Sequence, residues 1–452
     1  MYRTENDSVG SMSIPTTAYY GVNAARAQAN FQITGQRLEP DFIRSLAEIK
    51  KAAALANAEL GMIRVDVAHA IVAGANEVLL GLLHDQFIVD PMQGGAGTSS
   101  NMNINEVLAN RAIELLGGKK GDYTRVSPND DVNRGQSTND VYPTAGKLTL
   151  LKKIPLLHAQ LERMALVLLQ KAEQFKAVKK IGRTQLSDAV PLTLGQEFHA
   201  YYSLVKRHIK RLAQAKSEIL TLNMGGTAIG TGISAHPRFS ATFMPIIREL
   251  TGEELELADD LIDATQNVEC YAVIADVLKV IAISLSKIAN DIRLLSSGPR
   301  SGIGELIMPV KQNGSSIMPG KINPVIPEIV NQCAFIVAGN SVTVAMAVEG
   351  GQLELNAFEP VIFYKLFESF DVLEAAVKTF VDNCLSGIEA NEPRCHELLE
   401  RSLYLSTKLA ETVGYAVASD LTKEAVASGK TLKEVAAAKG IETDMFDAVP
   451  LG

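Results

Sequence analysis

Apolar residues recur three and four positions apart through most of this chain, the spacing of amphipathic helices. It predicts helices over 41–60, closed by Gly61, over 65–83 and over 102–116. From about 144 the pattern lengthens. Leu150, Ile154, Leu157, Leu161, Met164, Leu168 and Ala172 mark one long helix. A second covers 192–222, with Leu194, Phe198, Tyr202, Val205, Ile209 and Leu212 turned inward. A third, 264–297, is apolar on most faces, and 325–348 and 360–385 complete the set. Helices of this number and length predict a mainly α protein built on a bundle. So wide an apolar surface suits bundles from several chains packed together, although one large monomeric core fits the composition too.

The pattern also suggests boundaries. Residues 1–138 form a mostly helical N-terminal domain that opens with a turn-rich stretch, and 139–388 hold the long helices. The run Glu389-Ala390-Asn391-Glu392-Pro393 reads as a linker to a small helical C-terminal domain, 389–452. The apolar stretches near 271–295 and 329–349 are interrupted by Asp276, Lys279 and Lys287, and by Asn331, Gln332 and Asn340, so neither is expected to span a membrane. No signal peptide is expected at 1–13.

Charge narrows the function classes. The net charge is −8 and no basic run occurs, which argues against nucleic-acid binding. A site for an anionic substrate must therefore make its own positive potential. Four cysteines without paired spacing read as reduced, mostly buried thiols of a cytoplasmic protein.

Polar chemistry is concentrated in the breaks between helices. The segment 312–328 carries Gly314, Gly320, Pro319, Pro324 and Pro327, which exclude regular structure. It reads as a mobile loop bearing two hydroxyls (Ser315, Ser316), a cation (Lys321) and an amide (Asn323). Loops of that composition often cover active sites, though a plain surface connection is the alternative. A second stretch, 93–101, is a Gly-rich turn with Thr98 to Asn101 at capping positions of the next helix, a setting suited to an anion or simply to a cap. Ser137, Thr138 and Asn139 lie just ahead of another helix. Thr184 and Gln185 fall in 182–191, expected as a loop between two long helices with Pro191 at the next helix start. The Gly-rich connector 223–232 lacks the Lys-Ser/Thr of a phosphate loop and reads as mostly structural. None of the polar stretches contains histidine, so neither a metal site nor a His-based triad is expected.

The run Gly314-Ser315-Ser316-x-x-Pro319-x-Lys321-x-Asn323-Pro324 resembles the signature of the aspartase/fumarase superfamily. Gly95-x-Gly97-Thr98-Ser99, Gln136-Ser137-Thr138-Asn139-Asp140 and Gly182-Arg183-Thr184-Gln185-Leu186 resemble its other motifs, in the family's order. Gln185, where fumarases usually carry His, together with Gln352, Glu359 and the run 323–328, leans toward the aspartase branch. The resemblance implies a three-domain fold whose long-helix bundle associates into a tetrameric helical core. It implies reversible deamination of L-aspartate to fumarate and ammonia, with Ser315 removing the β-proton through an aci-carboxylate intermediate. Thr98, Ser137, Thr138, Asn139, Thr184, Gln185, Ser316, Lys321 and Asn323 are the substrate-binding residues it implies. It also implies a cytoplasmic homotetramer with sites shared between subunits, with no required cofactor and divalent-cation activation in some members. Fumarate hydratase is the alternative within the superfamily. A catalytically silent helical oligomer is the alternative outside catalysis, and the intact Thr98, Ser315, Lys321 and Asn323 argue against it.

Overall fold

Helices dominate the computed structural model, which describes residues 1–402 and 404–443; the end of the expected C-terminal domain, 444–452, lies outside the described residues. In chain order the elements are β1 (Tyr2–Asn6), β2 (Ser11–Pro15), α1 (Val22–Asn30), α2 (Pro40–Glu59), α3 (Val65–Leu79), α4 (Thr98–Leu115), α5 (Thr138–Gln174), β3 (Lys179–Thr184), β4 (Ser187–Thr193), α6 (Leu194–Ala215) and β5 (Thr221–Leu222). There follow α7 (Phe239–Thr251), β6 (Glu256–Leu257), α8 (Asp263–Gln266), α9 (Glu269–Leu295), β7 (Leu306–Ile307), α10 (Val325–Glu349), α11 (Glu359–Asn383), β8 (Glu389–Ala390), α12 (Glu392–Arg401), α13 (Leu405–Val413), α14 (Tyr415–Ser428) and α15 (Leu432–Ala438). The five long helices are α5, α6, α9, α10 and α11. The chain divides into two compact units, and each long helix contributes residues to both.

The first unit comprises Met1–His158, Arg211–Val280 and Ile336–Leu373. Its core is aromatic: Phe42, Tyr142, Tyr271, Phe363 and Phe367 meet with ring centroids 4.8–5.8 Å apart. Such pairs add to the burial energy of the rings themselves. Pro40 begins α2, where its missing N–H costs nothing, and the Glu39 carboxylate accepts from Phe42 N. Buried Glu106 of α4 accepts from Gly21 N, Asn23 N and Ala24 N, so a carboxylate sits at the N-terminus of α1. The 223–232 connector packs tightly, since a Cβ at Gly230 would lie 2.4 Å from the Ile262 backbone.

The second unit comprises Ala159–Lys210, Ile281–Phe335 and the chain from Glu374 onward. Phe175, Phe198 and Tyr201 form its aromatic contacts. Here the structure corrects the sequence reading. Tyr201, not Tyr202, is the buried tyrosine of α6. The stretch 182–191 is not a loop but most of an antiparallel hairpin, with Pro191 inside β4 opposite Ile181 and the helix starting only at Leu194. Gln185 and Leu186 both have positive φ, 53° and 64°, as the centre of a two-residue type I′ turn requires. β-hairpin propensity is weak in Gly-Arg-Thr-Gln, and the absence of Asn-Gly hid the turn. C-terminal helices α13, α14 and α15 share a small core of Leu405, Leu409, Leu421, Leu432 and Val435.

By length and composition alone α10 could cross a membrane, although only 39% of its apolar window is buried in the single chain. Its polar residues are engaged as in a core helix. Asn331 Nδ2 donates to Ser286 Oγ, Asn340 Nδ2 to Ser369 Oγ, and Ser341 Oγ to Asp276 Oδ1. Large apolar side chains nonetheless stand exposed on α9 and α10, among them Ile283, Phe335, Val342 and Met346.

Candidate active site

The residues singled out in the sequence fall into three groups. The first is built where α4 and α5 begin. Ala96 and the glycines on either side of it all have positive φ, and Gly97 is the N-cap of α4 at φ 90°. The sequence placed Thr98 to Asn101 at capping positions; the structure makes Thr98 the first helical residue instead. Its hydroxyl donates to Gly95 O at 2.7 Å, and the side chain stays exposed. The capping task goes to Gln93, whose Oε1 accepts from Ser100 N while its Nε2 donates to Ser100 Oγ. Gly97 is dictated by more than its φ, because a Cβ there would stand 2.2 Å from the Tyr142 ring. The start of α4 therefore rests directly on α5.

At the head of α5, Ser137 Oγ accepts from Asn139 N at 3.2 Å. Thr138 is buried, and its Oγ1 accepts from Asn101 Nδ2 at 3.1 Å, which ties the two helix starts together. Asn139 Nδ2 donates to Ala228 O at 2.7 Å, which uses one of its two N–H groups and orients the amide, with Oδ1 as an acceptor for a ligand. Asp140 is buried beneath them and accepts from Ser137 N, Gly225 N and Thr227 N; burial raises its carboxyl to about 6 despite those donors.

A buried polar shelf lies behind this group, and the sequence reading missed it. Asn133 Oδ1 accepts from three donors, Lys50 Nζ, Asn101 Nδ2 and Asn105 Nδ2, at 2.9, 3.1 and 3.2 Å. Lys50 Nζ also donates to Gln136 Oε1 at 3.0 Å. The available signal was positional: Lys50 falls on the face of α2 that buries Phe42, Leu46, Ala53 and Asn57.

The second group sits at the tip of the β3–β4 hairpin. Thr184 and Gln185 are both exposed. The hairpin itself is locked from behind by Glu305, whose side chain has no exposed surface. Arg183 reaches it with two hydrogen bonds, 3.1 and 2.9 Å, and Lys180 Nζ lies 2.8 Å away. A forked pair of this kind fixes direction as well as charge. The backbone carbonyl of Glu305 accepts from Asn391 N, so the same residue ties the hairpin to the start of α12. Glu305→Ala is expected to lower unfolding stability by about 1–3 kcal/mol, since half-buried Arg183 loses its carboxylate while buried Lys180 keeps only Glu197. Urea unfolding followed by circular dichroism measures it, and a loss under about 1 kcal/mol would contradict the clamp.

The third group is the segment 312–324, which has no regular structure; the expected loop ran on to 328, but 325–328 form the first turn of α10, where the missing N–H of Pro327 costs nothing. It is braced internally: Gly314 N donates to Lys321 O and Asn323 Nδ2 to Gly314 O, both at 2.8 Å. A Cβ on Gly314 would sit 2.7 Å from Asn323 Cγ, so glycine is needed for that closure. Ser315 Oγ accepts from Ile317 N (3.2 Å) and Met318 N (3.0 Å). Lys321 is exposed, and among the described residues its ammonium makes no ion pair. A cleft of about 890 Å³ runs beside the loop, with Lys321 and Asn323 in its wall. Among the described residues no group of three His, Cys, Asp or Glu side chains is placed to hold a metal ion.

Within the first unit the starts of α4 and α5 offer hydroxyls and an amide oxygen; within the second, the hairpin tip offers a hydroxyl and an amide, and the 312–324 segment a serine oxygen held by two N–H groups beside a cation unpaired among the described residues. Residues 10–339 match the family model described as lyase. Aspartate ammonia-lyase from Bacillus sp. is 48% identical over 98% of this chain and 94% of its own length. The enzyme of the same name from Helicobacter pylori strain J99 is 49% identical over 98% of this chain and 95% of its own. Among solved structures, fumarate lyase:delta crystallin from Brucella melitensis bound to cobalt superposes with a TM-score of 0.96 at 48% identity, covering 99% of this chain and 98% of that one. With its motifs, its fold and nearly its full length in agreement, the chain belongs to the lyase family of the aspartase/fumarase superfamily.

Proposed function

We propose that this protein is an aspartate ammonia-lyase, converting L-aspartate reversibly to fumarate and ammonia. The observation that carries the proposal is the Ser315 loop, which brings a serine oxygen, a second hydroxyl, a free cation and an amide onto one braced segment. The relatives of that name, similar over nearly the whole chain, support it.

The chemistry asks for such a loop. Elimination begins with removal of a proton from the carbon beside the β-carboxylate, which is a very weak carbon acid. The aci-carboxylate formed carries additional negative charge before the C–N bond breaks. Preorganised donors lower that barrier, and one well-placed donor accounts for roughly 3–4 kcal/mol. In this reading Thr98, Ser137, Thr138 and Ser316 hydroxyls receive the developing charge. Lys321, Asn323 and Thr184 hold the α-carboxylate. Asn139 Oδ1 and the Gln185 amide oxygen accept from the ammonium. Ser315 is the base: the N–H groups of Ile317 and Met318 stabilise its alkoxide, and Lys321 on the same loop adds positive charge. Gln185 cannot carry a proton, so it orients the leaving amine and takes no part in proton transfer.

The exposed apolar faces of α9 and α10 support a homotetramer in which neighbouring chains cover them, with each active site drawing residues from several subunits. The bundle 139–388 forms that core, and 1–138 and 389–452 are flanking domains. The reaction requires no cofactor, and a divalent cation acts at most as an activator. Four free cysteines support a cytoplasmic location.

The deciding experiment gives purified protein L-aspartate or, separately, L-malate and follows fumarate by ultraviolet absorbance. Fumarate with stoichiometric ammonia from aspartate is the expected result. Fumarate from malate alone would transfer the assignment to fumarate hydratase.

A further inference from the structure

Lys50 has no exposed surface, yet its ammonium is met at hydrogen-bond distance by two neutral acceptors, Asn133 Oδ1 and Gln136 Oε1. A cation sealed among amides is costly to keep. The charged group facing it is Asp140 on α5, whose carboxylate is taken up by the N–H groups of Ser137, Gly225 and Thr227. Helix α4 contributes the amides Asn101 and Asn105, both donating to Asn133 Oδ1. The 133–136 turn adds Arg134, a second cation whose Nε is buried without a hydrogen-bond partner. Asn101 Oδ1 and Asn105 Oδ1 are buried and unpartnered too. The one carboxylate facing Lys50, that of Asp140, is thus already shared among three backbone N–H groups, and the ammonium is linked to the proposed substrate-binding hydroxyls through a short chain: Lys50 to Asn133, Asn133 to Asn101, Asn101 to Thr138 Oγ1.

We propose that Lys50 is a positioning residue that supplies the positive potential behind the carboxylate-binding hydroxyls, and that its amine takes up a proton when a dicarboxylate binds at Thr138. The inference rests on the function proposed above. It answers a question raised by composition: an acidic chain must create positive potential locally. Burial lowers the amine to about 7, so near neutrality the free protein holds neutral and charged forms together. An anion at the hydroxyls favours the charged form. Below about 7 the proton is already present and none need be taken up. Above it, binding must draw one from solvent, and affinity weakens as pH rises.

Calorimetric titration of the intact protein with succinate, a dicarboxylate that lacks a leaving group, tests this in paired buffers of different ionisation enthalpy. Uptake approaching one proton per site is expected at about pH 8, falling as pH is lowered toward 7 and more of the amine is already charged; Asp140, raised to about 6, titrates below that window. Lys50→Met should bind with no uptake at pH 8 and a flat pH dependence above about pH 7. Lys50→Arg, charged throughout, should also bind without uptake while keeping wild-type affinity at low pH. The wild-type measurement stands even if neither variant folds. Succinate binding without proton uptake at pH 8, or uptake that persists in Lys50→Met, would overturn the role of Lys50 and leave the dicarboxylate site intact. No binding of succinate or fumarate at millimolar concentration would overturn both.

Discussion

Ser315→Ala is expected to lower kcat by about 10²–10⁴-fold, the range for loss of a positioned proton-transfer group. The serine oxygen is held by Ile317 N and Met318 N, and those bonds end with the hydroxyl. The loop should survive the change, because its closure runs through Gly314, Lys321 and Asn323 and not through the serine. Circular dichroism and sedimentation should therefore match the parent while turnover vanishes; turnover within tenfold of the parent would remove Ser315 from the role of base. Ser316→Ala, which removes one donor, should cost roughly 10²–10³-fold. If sites are shared between subunits, Ser315→Ala and Thr98→Ala chains, each strongly impaired alone, should gain activity once their subunits are exchanged. Demonstrated exchange with no recovery would confine each site to one chain.

Gly97→Ala is the second large effect, and it acts without touching any polar group. Two costs coincide at this position: a φ of 90°, and a ring atom of Tyr142 2.2 Å from where the methyl must go. The left-handed conformation and the overpacking together should cost about 2–5 kcal/mol of stability. Relief by shifting α4 would displace Thr98, and a displacement near 1 Å can cost about 10²-fold in rate. Gly95→Ala is the natural comparison, since φ there is also positive but the nearest atom to a Cβ is 4.0 Å away. Steady-state kinetics and thermal unfolding of the two variants separate backbone strain from collision. Equal losses in both would show that the contact with Tyr142 is unimportant.

The sequence was most legible where one physical rule dominates. Long apolar periodicity placed the five long helices, although the second was expected to run to 222 and ends at Ala215, and prolines with glycines predicted an irregular segment from 312 that gives way to α10 at Val325. It was least legible where tertiary contacts override local preference. The helical pattern of α6 put Tyr202 inward, four residues after Phe198, but the neighbour at three residues, Tyr201, is the ring that meets Phe198. The β3–β4 hairpin has no Asn-Gly at its turn; two non-glycine residues hold positive φ there instead. Gln93 replaces Thr98 as the cap of α4 because a side chain seven residues away in sequence folds back onto Ser100. Lys50 and Glu305 escaped notice for a common reason. A charge is assumed to face water until the structure shows what neutralises it, and their partners lie far along the chain, at 133–136 and at 180–183.

The bracing of the Ser315 loop also bears on how tightly a substrate can be held. An unstructured loop must be frozen at the moment of binding, and the entropy lost is subtracted from affinity. Here the bonds from Gly314 to Lys321 and from Asn323 to Gly314 already join the two ends, so the backbone that carries Ser315 and Lys321 is closed up in the free chain. Most of its ordering is complete when the chain folds, and the binding energy of the substrate's two carboxylates is left available for the transition state.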